Sequence, residues 1–197
     1  EVKVIINWSG QASAPSNESL FVDYIYLDTD ERRRFAQQSH EYLIEQVQHQ
    51  QSSEQAVELN FNHPVKELIW TGATADATGI RTGLGGTNYL LKLNGHDRFA
   101  ERPVRYFCCN QVWQHHTGTP LTSNAGGAAR ASTNEIAVYS FALKPEEHQP
   151  SGTCNFSRID NAILRASDDG TDGMNIYAVN YNVLRIMSGM GGLAYSN

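Results

Sequence analysis

The sequence has little cysteine, a deficit of basic residues and no long apolar run, and each shortage removes a class of protein. Three cysteines in 197 residues do not make a disulfide framework. Cys108 and Cys109 are neighbours whose side chains diverge if their segment is extended, so free thiols are the expectation. No stretch approaches the roughly 18 apolar residues of a membrane-spanning helix, because Asp23, Asn180 and Arg185 interrupt the longest ones. The first residues, EVKVIINWSG, have no initiator methionine, no basic leader and no long apolar segment, and the chain reads as though cut from a longer one. Against 21 Asp and Glu there are 15 Lys and Arg, a formal charge of −6, which opposes binding to a phosphate backbone. The densest basic cluster, Arg32, Arg33 and Arg34, is flanked by Asp28, Asp30, Glu31 and Glu41. No direct nucleic-acid binding is expected.

What remains is an ordinary globular composition, 40% hydrophobic and 18% charged. A chain of this length buries roughly 70% of its unfolded surface, and one domain over residues 1–197 is the natural division. Runs of β-branched and aromatic residues with a period of two recur between turn residues, the mark of an antiparallel all-β sandwich. Val2, Val4, Ile6 and Trp8 share one face of the first run. Val57, Leu59 and Phe61 do so before the turn-prone Asn62-His63-Pro64, after which residues 65–70 resume as a strand. Tyr89, Leu91 and Leu93 alternate up to Asn94-Gly95, a strong tight-turn dipeptide. Residues 104–113 read as another extended, aromatic-rich run, followed by 136–143 and 163–166. Residues 175–187 carry apolar side chains at both parities, as in a strand buried on both faces.

One helix is expected, from Asp28 to about Gln38, with Asp28 and Glu31 spaced as a capping box and acidic residues in the first turn. Residues 71–86 and 115–133 read as loops, and 168–173 as a hairpin turn. Roughly eight to ten strands with a few long excursions suit a jelly roll, two Greek-key sheets packed face to face.

Signals for chemistry are weak throughout. His115 and His116 are adjacent, which on a strand would send them to opposite faces, and no carboxylate lies near them in sequence; a loop or surface role is the reading. His40-Glu41-Tyr42-Leu43-Ile44 starts like a zinc-protease helix but has isoleucine where the second histidine is required. No two histidines are separated by a single residue, as a cupin metal site demands. The glycine-rich stretches at 83–86 and 189–192 lack the full nucleotide-binding fingerprint, and the carboxylates of 168–173 do not have calcium-loop spacing. Cys154 reads as a small buried side chain, and Glu146-Glu147-His148 as a solvated loop. No catalytic, cofactor-binding or metal-binding residue is assigned, and the chain is not expected to be an enzyme. Asn7, Asn17 and Asn155 head glycosylation sequons, weak evidence on their own.

The segment YSFALKPEEHQPSGTCNFSRID, residues 139–160, resembles the signature of the major capsid proteins of nucleocytoplasmic large DNA viruses, the double jelly-roll family of phycodnaviruses and iridoviruses. LDTDERRRFAQQSHEYLIEQ at 27–46, LNFNHPVKELIW at 59–70, LNGHDRF at 93–99 and NYNVLRIMSGMGGLAYSN at 180–197 resemble the same family in the same order. The resemblance implies a jelly roll matching the second, C-terminal roll of a two-roll chain. It implies homotrimeric, pseudo-hexagonal capsomers in an icosahedral shell, contacts with neighbouring capsomers and minor capsid proteins, and no cofactor. It further implies location in the virion after assembly in the host cytoplasm, and it admits glycans on exposed loops. Arg32, Arg33, Arg34, Pro145, Pro150 and Arg158 are the candidate contacts between subunits or rolls. The rival reading is a carbohydrate-binding jelly roll for host attachment, with Trp8, Trp70 and Trp113 as sugar-stacking faces, although core packing suits tryptophans on strands.

Overall fold

The computed structural model describes residues 3–4, 19–72, 84, 88–118, 136–167 and 173–195. Helix α1, Thr29–Gln37, starts where Asp28 Oδ1 accepts the backbone N–H of Glu31 at 2.8 Å, the cap read from the sequence. No residue of α1 is buried; its end turns directly into β1, with the Phe35 and His40 rings 4.7 Å apart.

Eleven strands follow among the described residues. They are β1 His40–Ser52, β2 Ala56–Glu58, β3 Pro64–Gly72, β4 Asn88–Leu93, β5 His96–Asp97, β6 Arg102–Pro103, β7 Ile136–Ser140, β8 Cys154–Asn155, β9 Ala162–Ala166, β10 Met174–Met187 and β11 Met190–Leu193. One sheet runs β1-β10-β3-β7, with β11 on β10 and β8 on β3; the other runs β2-β9-β4-β5, with β6 on β4. Every pairing is antiparallel. The pairing is nested: β1 meets β10, β2 meets β9, β3 meets β7, and β4 meets its own hairpin partners. The chain crosses from one sheet to the other at each early step, which is the jelly roll that the strand spacing and the resemblance implied.

The core lies between the sheets. Val57, Leu59 and Phe61 are buried on one side and Leu68, Trp70, Ile176 and Ala178 on the other. Trp70 sits at its centre, its ring 5.5 Å from that of Tyr89 and 5.1 Å from that of Phe107. The Asn94-Gly95 turn forms as expected, both residues at positive φ (51° and 79°). The Asn94 side chain also accepts the backbone N–H of Asp160 at 2.9 Å, fastening the hairpin tip to the chain leading into β9. As read from its composition, β10 is buried on both faces over most of its length.

Residues 104–113 are not a strand. After β6 the chain enters a π-helical turn, Tyr106–Asn110, that continues into α2, Gln111–His115. Val104, Phe107 and Gln111 are the buried residues, spaced three and four apart, so a helical face and not a pleat meets the core. Gln111 Oε1 accepts the N–H of Ser140 at 3.1 Å, tying this helix to the end of β7. That strand stops at Ser140, short of residue 143. The strand β1 was not apparent in the sequence because its inward positions after Ile44 are Gln46, Gln48, Gln50 and Ser52. These amides substitute for apolar packing: Gln48 Nε2 donates to Asn62 O at 2.7 Å while Asn62 N donates to Gln48 Oε1 at 3.0 Å. Gln50 repeats the exchange with Glu58 O at 2.6 Å and Asn60 N at 3.0 Å. Two glutamines thus act as ladder rungs to the backbone of residues 58–62.

Candidate functional site

The outer face of the larger sheet carries a group of charged side chains that is largely buried. A bulge in β3 opposite Val179 and Asn180 places Lys66 out of register, and Lys66 and Glu67 are both buried. The Lys66 ammonium donates to the Pro145 carbonyl at 2.6 Å, pairs with Glu45 of β1 at 2.7 Å and lies 5.7 Å from the Tyr181 ring centroid. The Lys66 carbonyl accepts the N–H of Phe141 at 2.9 Å and of Ala142 at 3.2 Å. Residues 141–151 are therefore laid across the sheet by one lysine acting through both side chain and backbone. Ser151 closes this loop on itself, its Oγ accepting the N–H of Lys144 at 2.9 Å.

Beside it, His116 at the end of α2 stands between two carboxylates. Its Nε2 is 3.2 Å from Glu67 Oε2 and its Nδ1 3.0 Å from Glu146 Oε1. Glu146 also receives the Thr117 N–H at 3.0 Å and the Thr117 hydroxyl at 2.6 Å. The Glu67 carboxylate close to the ring raises the His116 pKa most; partial burial opposes it, and Glu146 adds to the rise. The Thr117 hydrogen bonds, with His116, hold the Glu146 carboxyl below its usual value. Glu146 lies exposed in a loop as expected, and His116 is the half-buried C-cap of α2 instead of a surface residue; that they meet each other and Glu67 was not legible, because residues remote in sequence converge only in the fold. Lys66, Glu67 and Glu45 were missed as well, though a Lys-Glu pair inside the apolar run VKELIW was a signal that one face of that strand is special.

The candidate contact residues lie apart from one another. Arg32, Arg33 and Arg34 are exposed on α1; Arg33 pairs with Asp30 at 3.6 Å and Arg34 Nε donates to Gln38 at 3.3 Å. Pro145 is fully buried against its own chain, whereas Pro150 and Arg158 are exposed. Asn155 is exposed and caps the 3-10 turn Phe156–Arg158, its Oδ1 accepting from Ser157 N at 3.1 Å. Asn7 and Asn17 lie outside the described residues, as do Trp8 and most of the expected loops at 71–86 and 115–133. Trp70 is a core residue, but Trp113 is 75% exposed on α2 and not a packed strand residue. Burial pushes the Cys108 thiol up to about 12, and Cys108, Cys109 and Cys154 are free.

A profile of the family described as large eukaryotic DNA virus major capsid protein matches residues 31–84 and 85–192. The chain belongs to this family. Among curated relatives, the major capsid protein of Pyramimonas orientalis virus is 51% identical over all of this chain and 55% of its own length. That of Paramecium bursaria Chlorella virus 1 is 40% identical over 98% of this chain and 58% of its own. A quasi-atomic model of the PBCV-1 virus capsid superposes with a TM-score of 0.69 at 39% identity, covering 88% of this chain and 56% of that one. The chain thus spans about half the length of the major capsid proteins it matches, and the jelly roll described above is the fold it shares with them.

Proposed function

We propose that this chain is one jelly roll of a two-roll major capsid protein and serves as a structural subunit of an icosahedral shell. The observation that carries the reading is the nested β1–β10, β2–β9, β3–β7 pairing in a chain half as long as its relatives. The run from Leu20 to Leu27 supports it: Phe21, Ile25 and Tyr26 are each about nine-tenths exposed, an apolar surface that the rest of a longer protein would cover. In this reading the chain works by association and not by catalysis. Homotrimers form pseudo-hexagonal capsomers that meet neighbouring capsomers and minor capsid proteins in the virion, after assembly in the host cytoplasm, without contacting nucleic acid.

Light scattering on the full-length protein tests this. A stable trimer is expected; a monodisperse monomer at high concentration overturns it. Within the trimer, the exposed Arg32, Arg33 and Arg34 make charged contacts between subunits or rolls, so charge reversal at Arg33 should lower trimer yield. Pro150 and Arg158 lie within the signature segment, and Pro150→Ala with undiminished assembly and thermal stability would remove that loop from the interface. Pro145 takes part indirectly, as the buried anchor of the same loop. The exposed Trp113 favours a second reading, a sugar-binding face used in host attachment; it predicts glycan-array binding that Trp113→Ala abolishes without changing trimer mass.

A further inference from the structure

We propose that His116 is a pH-gated latch that, as an imidazolium, ties the end of α2 and, through Glu146, the 141–151 loop to Glu67 of β3, and as a neutral ring gives up the tie to Glu67 and frees the end of α2, while Lys66 continues to hold the loop. The ring meets two carboxylates, Glu146 through a hydrogen bond and Glu67 at ion-pair distance. One ring nitrogen faces Glu67 at 3.2 Å and the other faces Glu146 at 3.0 Å, and only the imidazolium carries a proton on both; the neutral ring turns a lone pair toward one carboxylate. The contact that yields is the one to Glu67. Glu146 keeps two hydrogen bonds from Thr117 whatever the state of the ring, so helix end and loop stay joined to each other. Glu67 has no such reserve: its neighbour Lys66 is already held by Glu45 and the Pro145 carbonyl.

The surrounding groups leave His116 as the switch. From the loop, Lys144 is paired with Glu147 at 3.0 Å and His148 is exposed. On its own element, His115 Nδ1 is 3.0 Å from the Leu143 carbonyl. Packed against α2, the π-helical turn presents Tyr106, which receives a hydrogen bond from Gln111, with Cys108 and Cys109, and β7 contributes Tyr139, whose pKa burial raises. Glu67 and Glu146 are therefore the charges facing the ring. Together they hold it above the ordinary 6.5 in spite of burial, which sets the release on the alkaline side of that value. The proton lost goes to solvent.

Hydrogen exchange read by mass spectrometry on the full-length protein tests the latch, comparing wild type with His116→Gln at matched pH. On the acid side, from about pH 5 upward, peptides covering 112–118 should exchange several-fold faster in the variant, and those covering 141–151 by a smaller factor because Lys66 still holds them. The difference should close as pH rises and the wild type itself lets go, while peptides from β10 stay unchanged. Equal protection on the acid side, or a difference that persists at every pH, overturns the proposal. Glu146→Gln, at a half-exposed position, guards against misfolding of the first variant: it should move the wild-type transition to lower pH, and an unmoved transition overturns the latch equally.

Discussion

Lys66 reaches across Tyr181 to place its ammonium 2.7 Å from Glu45 Oε1, so a charge on β3 is answered two strands away on β1. The same ammonium holds the Pro145 carbonyl. Lys66→Met keeps the aliphatic stem but leaves that carbonyl and Glu45 without their donor. A loss of about 2 kcal/mol is expected from urea denaturation, below the full cost of a broken buried pair because Glu45 remains partly exposed. A change under about 0.5 kcal/mol, the usual size of a surface substitution, would show that the loop is held by packing alone.

Gly152 and Gly95 both have positive φ, yet they should not respond alike. At Gly95 a Cβ would meet nothing within 4 Å, whereas at Gly152, φ 143°, it would stand 2.9 Å from the Phe141 carbonyl oxygen. Gly95→Ala should therefore cost about 1 kcal/mol, the conformational penalty alone. Gly152→Ala should cost clearly more and disturb the loop backbone. Thermal melts of the two variants, side by side, check the ranking.

Gln48→Leu should destabilise by about 1–2 kcal/mol despite adding apolar surface, since it strands both backbone groups of Asn62 and the Asn180 amide oxygen. Amide exchange at Asn62 should rise selectively. If stability increases instead, the glutamine rungs are ornamental to the sheet contact.

Stability should peak in a defined pH window. His116, with its pKa raised by Glu67 and Glu146, contributes fully below 6.5 and loses that contribution as pH climbs through the folded value. Glu146, with its pKa lowered by Thr117, contributes above 4.5 and loses that as pH falls through its folded value. Both act together between 4.5 and 6.5. The Tm difference between wild type and His116→Gln should be largest there and shrink on the alkaline side; a difference that grows with pH would reverse the sign of the argument.

How much could be read from the sequence depended on whether a residue answered to its neighbours or to remote ones. Asp28 capping Glu31, the Asn94-Gly95 turn and the alternation of Val57, Leu59 and Phe61 are local, and they stand in the structure as read. Residues 104–113 misled because Tyr106, Phe107, Val112 and Trp113 favour strands in isolation. The buried spacing of Val104, Phe107 and Gln111 shows that tertiary packing overrode that preference. The β1 glutamines hid a strand, since their partners are backbone groups eight to fourteen residues away. The His116 site was invisible for the same reason: its carboxylates come from β3 and from a loop beyond β7.

The placement of β10 also governs the order in which the protein can be made. Gln48 and Asn180, hydrogen-bonded across the β1–β10 seam, are 132 positions apart in the chain. Until the last residues of β10 leave the ribosome, β1 and β3 flank an empty lane, each with an unsatisfied edge. At synthesis rates of about 5–20 residues per second that interval lasts several seconds, long enough for bare strands on adjacent nascent chains to find one another. A protein needed in great numbers at one place would therefore depend on whatever shields those edges during translation.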